Sequence, residues 1–204
     1  MAGGLGFPDK DADVIFGTFI ALTYLTPFLG GFLADRVLGY IKSIYLGGVL
    51  MAAGYIGVGV FKELPLFYGS LALVIIGNGF FKPTISTLLG NLYSEEPYKA
   101  NKDSGYNIFY MGINIGAFIC NIIAAFMRNK YGWGPAFMTA GVGMFIGLAV
   151  FTLGRKHILQ ANVLKPSQEG DTKISDILLK VFLPAIIAGV IGWMIPNNIF
   201  GTDS

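Results

Sequence analysis

Residues 64–94 read LPLFYGSLALVIIGNGFFKPTISTLLGNLYS, with Lys82 the single charge. A helix needs about 20 mostly apolar residues to cross the hydrocarbon core of a bilayer, and this stretch exceeds that. Working outward, charge-free runs occupy 14–34, 43–61, 104–127, 131–154 and 181–202. Each meets or nearly meets the spanning length. A transmembrane β-barrel would instead alternate apolar and polar residues over strands of about 10 residues, a pattern missing from these runs. The composition agrees: 54% of the 204 residues are hydrophobic and only 13% charged, where soluble domains carry about 25% charged residues. The sequence therefore predicts an all-α integral membrane protein.

The remaining composition narrows the function. A net charge of +2, spread over membrane-edge loops, is no nucleic-acid footprint. Cys120 and His157 are the lone residues of their kinds, so neither an internal disulfide nor a Cys/His metal site is expected. No nucleophile–base or metal-ligand spacing points to an enzyme. The expected organisation is a polar tail over 1–12, five transmembrane helices within 13–156, a linker over 157–173 with Pro166 and Gly170, and an additional apolar helix within 174–204. The five helices read as 13–34, 41–61, 65–92, 103–127 and 133–156.

Loop charge gives these helices a direction. Arg36, Lys42, Lys99, Lys102, Arg155, Lys156, Lys165 and Lys173 fall on one side, against Lys10, Lys62, Arg128 and Lys130 on the other. The positive-inside rule puts the richer side, with loops 35–42 and 93–102 and linker 157–173, in the cytoplasm. The acidic start (Asp9, Asp11, Asp13) then lies outside, which calls for a further helix upstream. On this reading the sequence is one part of a longer chain. Glycine, 29 of 204 residues, is about twice its usual 7%. Small-xxx-small pairs such as Gly112–Gly116 and Gly143–Gly147 suggest close helix packing.

Polar residues within the spans mark the functional candidates. At about 1.5 Å per residue, Lys82 lies roughly 12–15 Å from the end of its helix, too deep for its stem to reach the interface. Such a charge must be paired or hydrated, and an amine that can release its proton suits a proton-coupled switch. Asn78, Lys82 and Ser86 share a helix face. Asn107, Asn114 and Asn121 recur every seven residues, with Tyr110 one turn before Asn114. That stripe faces either partner helices or a wet cavity, and the pattern alone does not choose between them. Tyr24, beside Thr23 and Thr26, is equally open in meaning. Gly31, Asp35, Arg36 and Gly39 form a turn that reads first as a topology anchor.

Three stretches together resemble the proton-dependent oligopeptide transporter family of the major facilitator superfamily: GGFLADR at 30–36, GNGFFKP at 77–83 and FYMGINIG at 109–116. They look like that family's helix 2–3 loop, helix 4 motif and helix 5 motif. The resemblance implies a partial major-facilitator-type bundle, helices 2–6 plus the first inserted helix, in the cell membrane of a bacterium. It implies proton-coupled symport of di- and tripeptides by alternating access, with the proton gradient as driving force and no cofactor. Lys82 would serve proton coupling and face the peptide carboxylate, while Tyr24, Tyr110 and Asn114 would line the peptide pocket. Gly31, Asp35, Arg36 and Gly39 would belong to the gating loop. Helix 1, with its Glu-x-x-Glu-Arg motif, and the carboxyl-terminal bundle have no counterpart in this sequence. They are expected partners, alongside the peptides and the lipid bilayer. Thr84 stands where the family is expected to carry asparagine. The alternatives are a facilitator-superfamily carrier of another small solute and a membrane fragment that does not transport.

Overall fold

The computed structural model describes residues 5–94, 96–163 and 174–187. Five long helices dominate: α1 (Asp9–Leu33), α2 (Tyr40–Val60), α3 (Leu64–Leu92), α4 (Lys102–Tyr131) and α5 (Trp133–Gly154). All five are long and apolar enough to cross a membrane, and no strand occurs among the described residues. Their ends follow local chemistry. Asp9 and Asp11 occupy the first turn of α1, where carboxylates complement the helix dipole. Proline stands in the first turn of α3, where its missing N–H costs nothing. Gly132, at φ +90°, ends α4 and starts α5 in a backbone conformation that L side chains rarely adopt.

α2 lies between α3 and α5, α1 packs on the outer side of α3, and α4 packs on α5. Lipid supplies no hydrophobic drive between helices, so close backbone approach has to hold them. Gly47 of α2 and Gly77 of α3 meet in this way: a Cβ on either would lie 2.6 Å from the other's carbonyl oxygen. Gly59 and Gly134 repeat the arrangement between α2 and α5, at 2.5 Å. The expected pairs Gly112–Gly116 and Gly143–Gly147 do not pack: beyond their own helix turn, nothing in the described structure lies within 4 Å of where their Cβ atoms would be.

The residues 35–42, expected as a loop, are almost wholly helical. Ala34–Leu38 continue α1 as a π-helical turn, Gly39 at φ +80° breaks the run, and α2 starts at Tyr40. At the other end of α1, Asp9–Ala12 are helical rather than part of a tail. The start of the linker is likewise no free tether. After 3₁₀ turns at Arg155–His157 and Leu159–Ala161, Ala161 is buried in a core with Ala34, Tyr40, Ile44, Leu88 and Leu148. Asn162 Oδ1 accepts a hydrogen bond from Ile41 N at 3.0 Å, which caps α2 from 121 residues away.

Residues 174–187 form a separate unit, helical from Ile174 with a π-helical stretch at Leu178–Phe182. Lys180 and Asp176 pair on its surface at 3.5 Å. The expected extension of this helix to about Met194, with Trp193 and Pro196, lies outside the described residues.

Candidate functional site

Pro83 sits inside α3 next to Lys82, where it cannot donate to the carbonyl of Gly79. Lys82 Nζ lies over the ring of Tyr24 on α1, 4.5 Å from its centroid. An ammonium over an aromatic face at that distance gains about 0.5–2 kcal/mol. Neither residue is enclosed by this chain: Lys82 is exposed and Tyr24 retains 64% of its surface. Lys82 makes no ion pair among the described residues. The result is a cation backed by an aromatic ring and open on its other side, which is what a carboxylate or phosphate needs for docking.

The other two expected pocket residues, Tyr110 and Asn114, are on α4. Asn114 Nδ2 donates to the carbonyl of Tyr110 at 2.8 Å, within its own helix. Tyr110 stacks on Tyr106, with centroids 6.3 Å apart, and meets Phe109 edge-on. Asn107, Asn114 and Asn121 are all exposed, so no packed partner helix receives the stripe among the described residues. The two pairs are joined where α3 and α4 meet. There Tyr106 hydroxyl donates to the carbonyl of Ser86 at 3.4 Å, and Gly105 sits against the Tyr93 ring. Ser86 lies one turn after Lys82 and Tyr106 one turn before Tyr110. The polar faces of α3 and α4 therefore cross at one point, with Lys82 and Tyr24 on one side of it and Tyr110 and Asn114 on the other.

Tyr106 was not among the residues expected to matter, though its signal was present: Tyr106, Tyr110 and Asn114 are four apart. Thr84, in the unexpected position after Pro83, is buried, and its hydroxyl donates back to the carbonyl of Phe80. Gly31 lies on the face of α1 toward α3, with Pro83 Cβ 3.4 Å from where its own Cβ would be. Asp35 and Arg36 are half-buried in the π-helical turn, and Gly39 is buried against Asn162. These four residues thus lie at the helix end remote from Gly132. Asn91 also reaches the linker, donating to the carbonyl of Ala161 at 3.3 Å. Nothing in the spacing of the sequence marks Asn91 or Asn162. Among the described residues no three His, Cys, Asp or Glu side chains gather to hold a metal ion.

At the Gly132 end the aromatic residues sit as membrane-edge anchors do. Arg128 lies over the Trp133 ring at 5.2 Å and Lys130 over Tyr131 at 5.3 Å.

Comparison with known proteins identifies the family. The POT family model matches residues 41–183. An uncharacterized transporter of Bacillus subtilis, YclF, is 40% identical over 157 residues, 77% of this chain and 32% of the relative. A di-/tripeptide transporter of Lactococcus lactis is 33% identical over 192 residues, 94% of this chain and 38% of the relative. A peptide transporter crystallised with alafosfalin superposes with a TM-score of 0.73 at 33% identity, covering 94% of this chain and 39% of that one. The chain spans about a third of the length of the curated relatives it matches. The family model covers more than half of the chain, and the chain belongs to the POT family, a family of multi-pass membrane transporters with the major facilitator fold.

Proposed function

We propose that this chain forms helices 2–6 and the first inserted helix of a carrier that moves di- and tripeptides with protons by alternating access. The observation that carries the proposal is the Lys82 ammonium held over the Tyr24 ring on an open face, one turn from the crossing of the two polar helix faces. Lys82 is the proton-coupling group and meets the peptide carboxylate. Tyr24, Tyr110 and Asn114 form the wall of the pocket that this chain supplies. The rest of the pocket, including carboxylates that answer the lysine, comes from segments outside this sequence. The π-helical turn with Asp35 and Arg36, between Gly31 and Gly39, works as the gating element on the cytoplasmic side. The carrier resides in a bacterial cell membrane, with the Gly39 end, residues 93–102 and the linker inside. The cationic excess on that side supports this direction.

Uptake by the whole carrier in proteoliposomes tests the proposal. With a proton gradient imposed, Lys82→Ala is expected to lower dipeptide accumulation about 10- to 100-fold, the loss of one charge-assisted contact. Wild-type accumulation by Lys82→Ala overturns the coupling role. Competition by dipeptides, and none by free amino acids, separates this reading from a carrier of another small solute.

A further inference from the structure

Each of α1 and α3 contains a proline within its span, and a proline has no N–H to give to the carbonyl four residues earlier. Pro27 leaves Thr23 without its usual donor, and Pro83 leaves Gly79 without one. In a membrane interior such carbonyls must find partners elsewhere. Both turn to the same place, the crossing of α1 with α3. Asn78 Nδ2 of α3 donates to the Thr23 carbonyl at 2.9 Å. The Gly79 carbonyl abuts Gly30 of α1, so closely that a Cβ on Gly30 would overlap it. Between them Thr26 Oγ1 donates to the carbonyl of Ile75 at 3.1 Å. The break at Pro27 is thus answered by Asn78 of α3, while the carbonyl freed by Pro83 lies against the Gly30 backbone of α1. Tyr24 directly follows Thr23, and Lys82 directly precedes Pro83.

We infer that Asn78 is a positioning residue for the Lys82–Tyr24 pair. It stands in for the N–H that Pro27 lacks, and so fixes the turn carrying Tyr24 against the turn carrying Lys82. The inference rests on the functional reading of Lys82 above, while the hydrogen bond itself is independent of it. Over 14–33 of α1 and 64–92 of α3 the titratable side chains are Tyr24, Tyr68 and Lys82. α2, packed on α3, adds Tyr40, Lys42, Tyr45 and Tyr55, and α4, which meets α3 at Ser86, adds Tyr106 and Tyr110.

A double-mutant cycle between Pro27 and Asn78 in the whole carrier tests it. Pro27→Ala restores a main-chain donor to Thr23 and should make Asn78 dispensable. Asn78→Ala alone is expected to slow peptide uptake about 5- to 10-fold, mainly in the maximal rate, and to displace its pH profile. In the Pro27→Ala background the same change should cost less than about twofold, because the carbonyl stays paired. Equal losses in both backgrounds overturn the inference. Should Asn78→Ala not fold, recovery of folded protein in the double variant supports it and no recovery overturns it. Coupling in thermal stability with an unmoved pH profile for Asn78→Ala reduces Asn78 to a structural contact and overturns the positioning role. The stability cycle needs no peptide. If Lys82→Ala transports like wild type while Pro27 and Asn78 remain coupled, the reading of Lys82 fails and the α1–α3 clasp stands.

Discussion

α2 and α4 are both long apolar helices, and they have opposite surroundings. α2 buries Tyr40, Ile41, Ser43 and Ile44 and then Gly47, Gly48, Ala52, Gly54 and Gly57, whereas α4 buries only Gly105. Hydropathy cannot tell the two apart, because a lipid tail is as apolar as a leucine. The difference lies in where glycines meet backbone. Gly47 and Gly59 of α2 face glycines of α3 and α5, its other buried glycines face side chains of the same neighbours, and those in the middle of α4 meet no neighbouring helix. α4 rests on α5 and touches α3 near its start, while Tyr110 and the asparagine stripe stay exposed, which fits the pocket wall proposed above.

The sharpest way to break this contrast is to add the same side chain to both helices. Gly47→Val forces atoms into a backbone contact of 2.6 Å, with Phe81 N also within 2.8 Å. It is expected to cost about 3 kcal/mol or more and to abolish the folded, monodisperse carrier on size-exclusion chromatography. Gly112→Val, with no atom of a neighbouring helix within 4 Å, should leave the bundle folded and act on transport instead. Equal loss of folded protein from both variants would mean that α4 is packed as tightly as α2.

A smaller effect sharpens the contrast at the helix starts. α2 is capped by Asn162, brought back by the linker, while Asn101 at the start of α4 makes no capping hydrogen bond. Asn162→Ala should destabilise by about 1 kcal/mol, a fall in melting temperature of about 2–4 °C. Asn101→Ala should lie within about 0.5 kcal/mol of wild type. Thermal unfolding in detergent compares the two directly; a larger fall for Asn101→Ala would show that the linker contact is incidental.

These cases also mark what the sequence could disclose. Spans and helix order followed from charge-free runs, since the length needed to cross a bilayer is fixed by its thickness. Lys82 stood out because an isolated charge in such a run demands a reason, and Tyr24 proved to be beside it. The partners of glycines stayed hidden: Gly112–Gly116 shows the same spacing as true contacts, and only the height of the neighbouring helix decides whether it is used. Gly39 looked like the centre of a loop because its charged neighbours are polar, while their backbone continues α1 with wider hydrogen bonding. Asn78 fell on the right helix face, but its acceptor depends on Pro27, 51 positions earlier in the sequence. Pairing between distant positions is a three-dimensional property that local periodicity does not encode.

The least of the expected effects separates polar contacts from packing as the source of α2's burial. Tyr45 of α2 donates its hydroxyl to Thr152 Oγ1 of α5 at 2.8 Å, and Thr152 donates onward to the carbonyl of Leu148 at 2.7 Å. The Tyr45 ring also meets Phe151 edge-on at 5.5 Å. Tyr45→Phe removes the hydroxyl alone: the ring contact remains, and Thr152 keeps its bond to Leu148. Interhelical hydrogen bonds in membranes average about 0.6 kcal/mol, so the melting temperature should fall by only about 1–3 °C. A fall comparable to that of Gly47→Val would place the bundle's cohesion in its hydroxyl contacts. A small fall leaves it with the glycine crossings, which bring the backbones of α2 and its neighbours together and have no counterpart along the middle of α4.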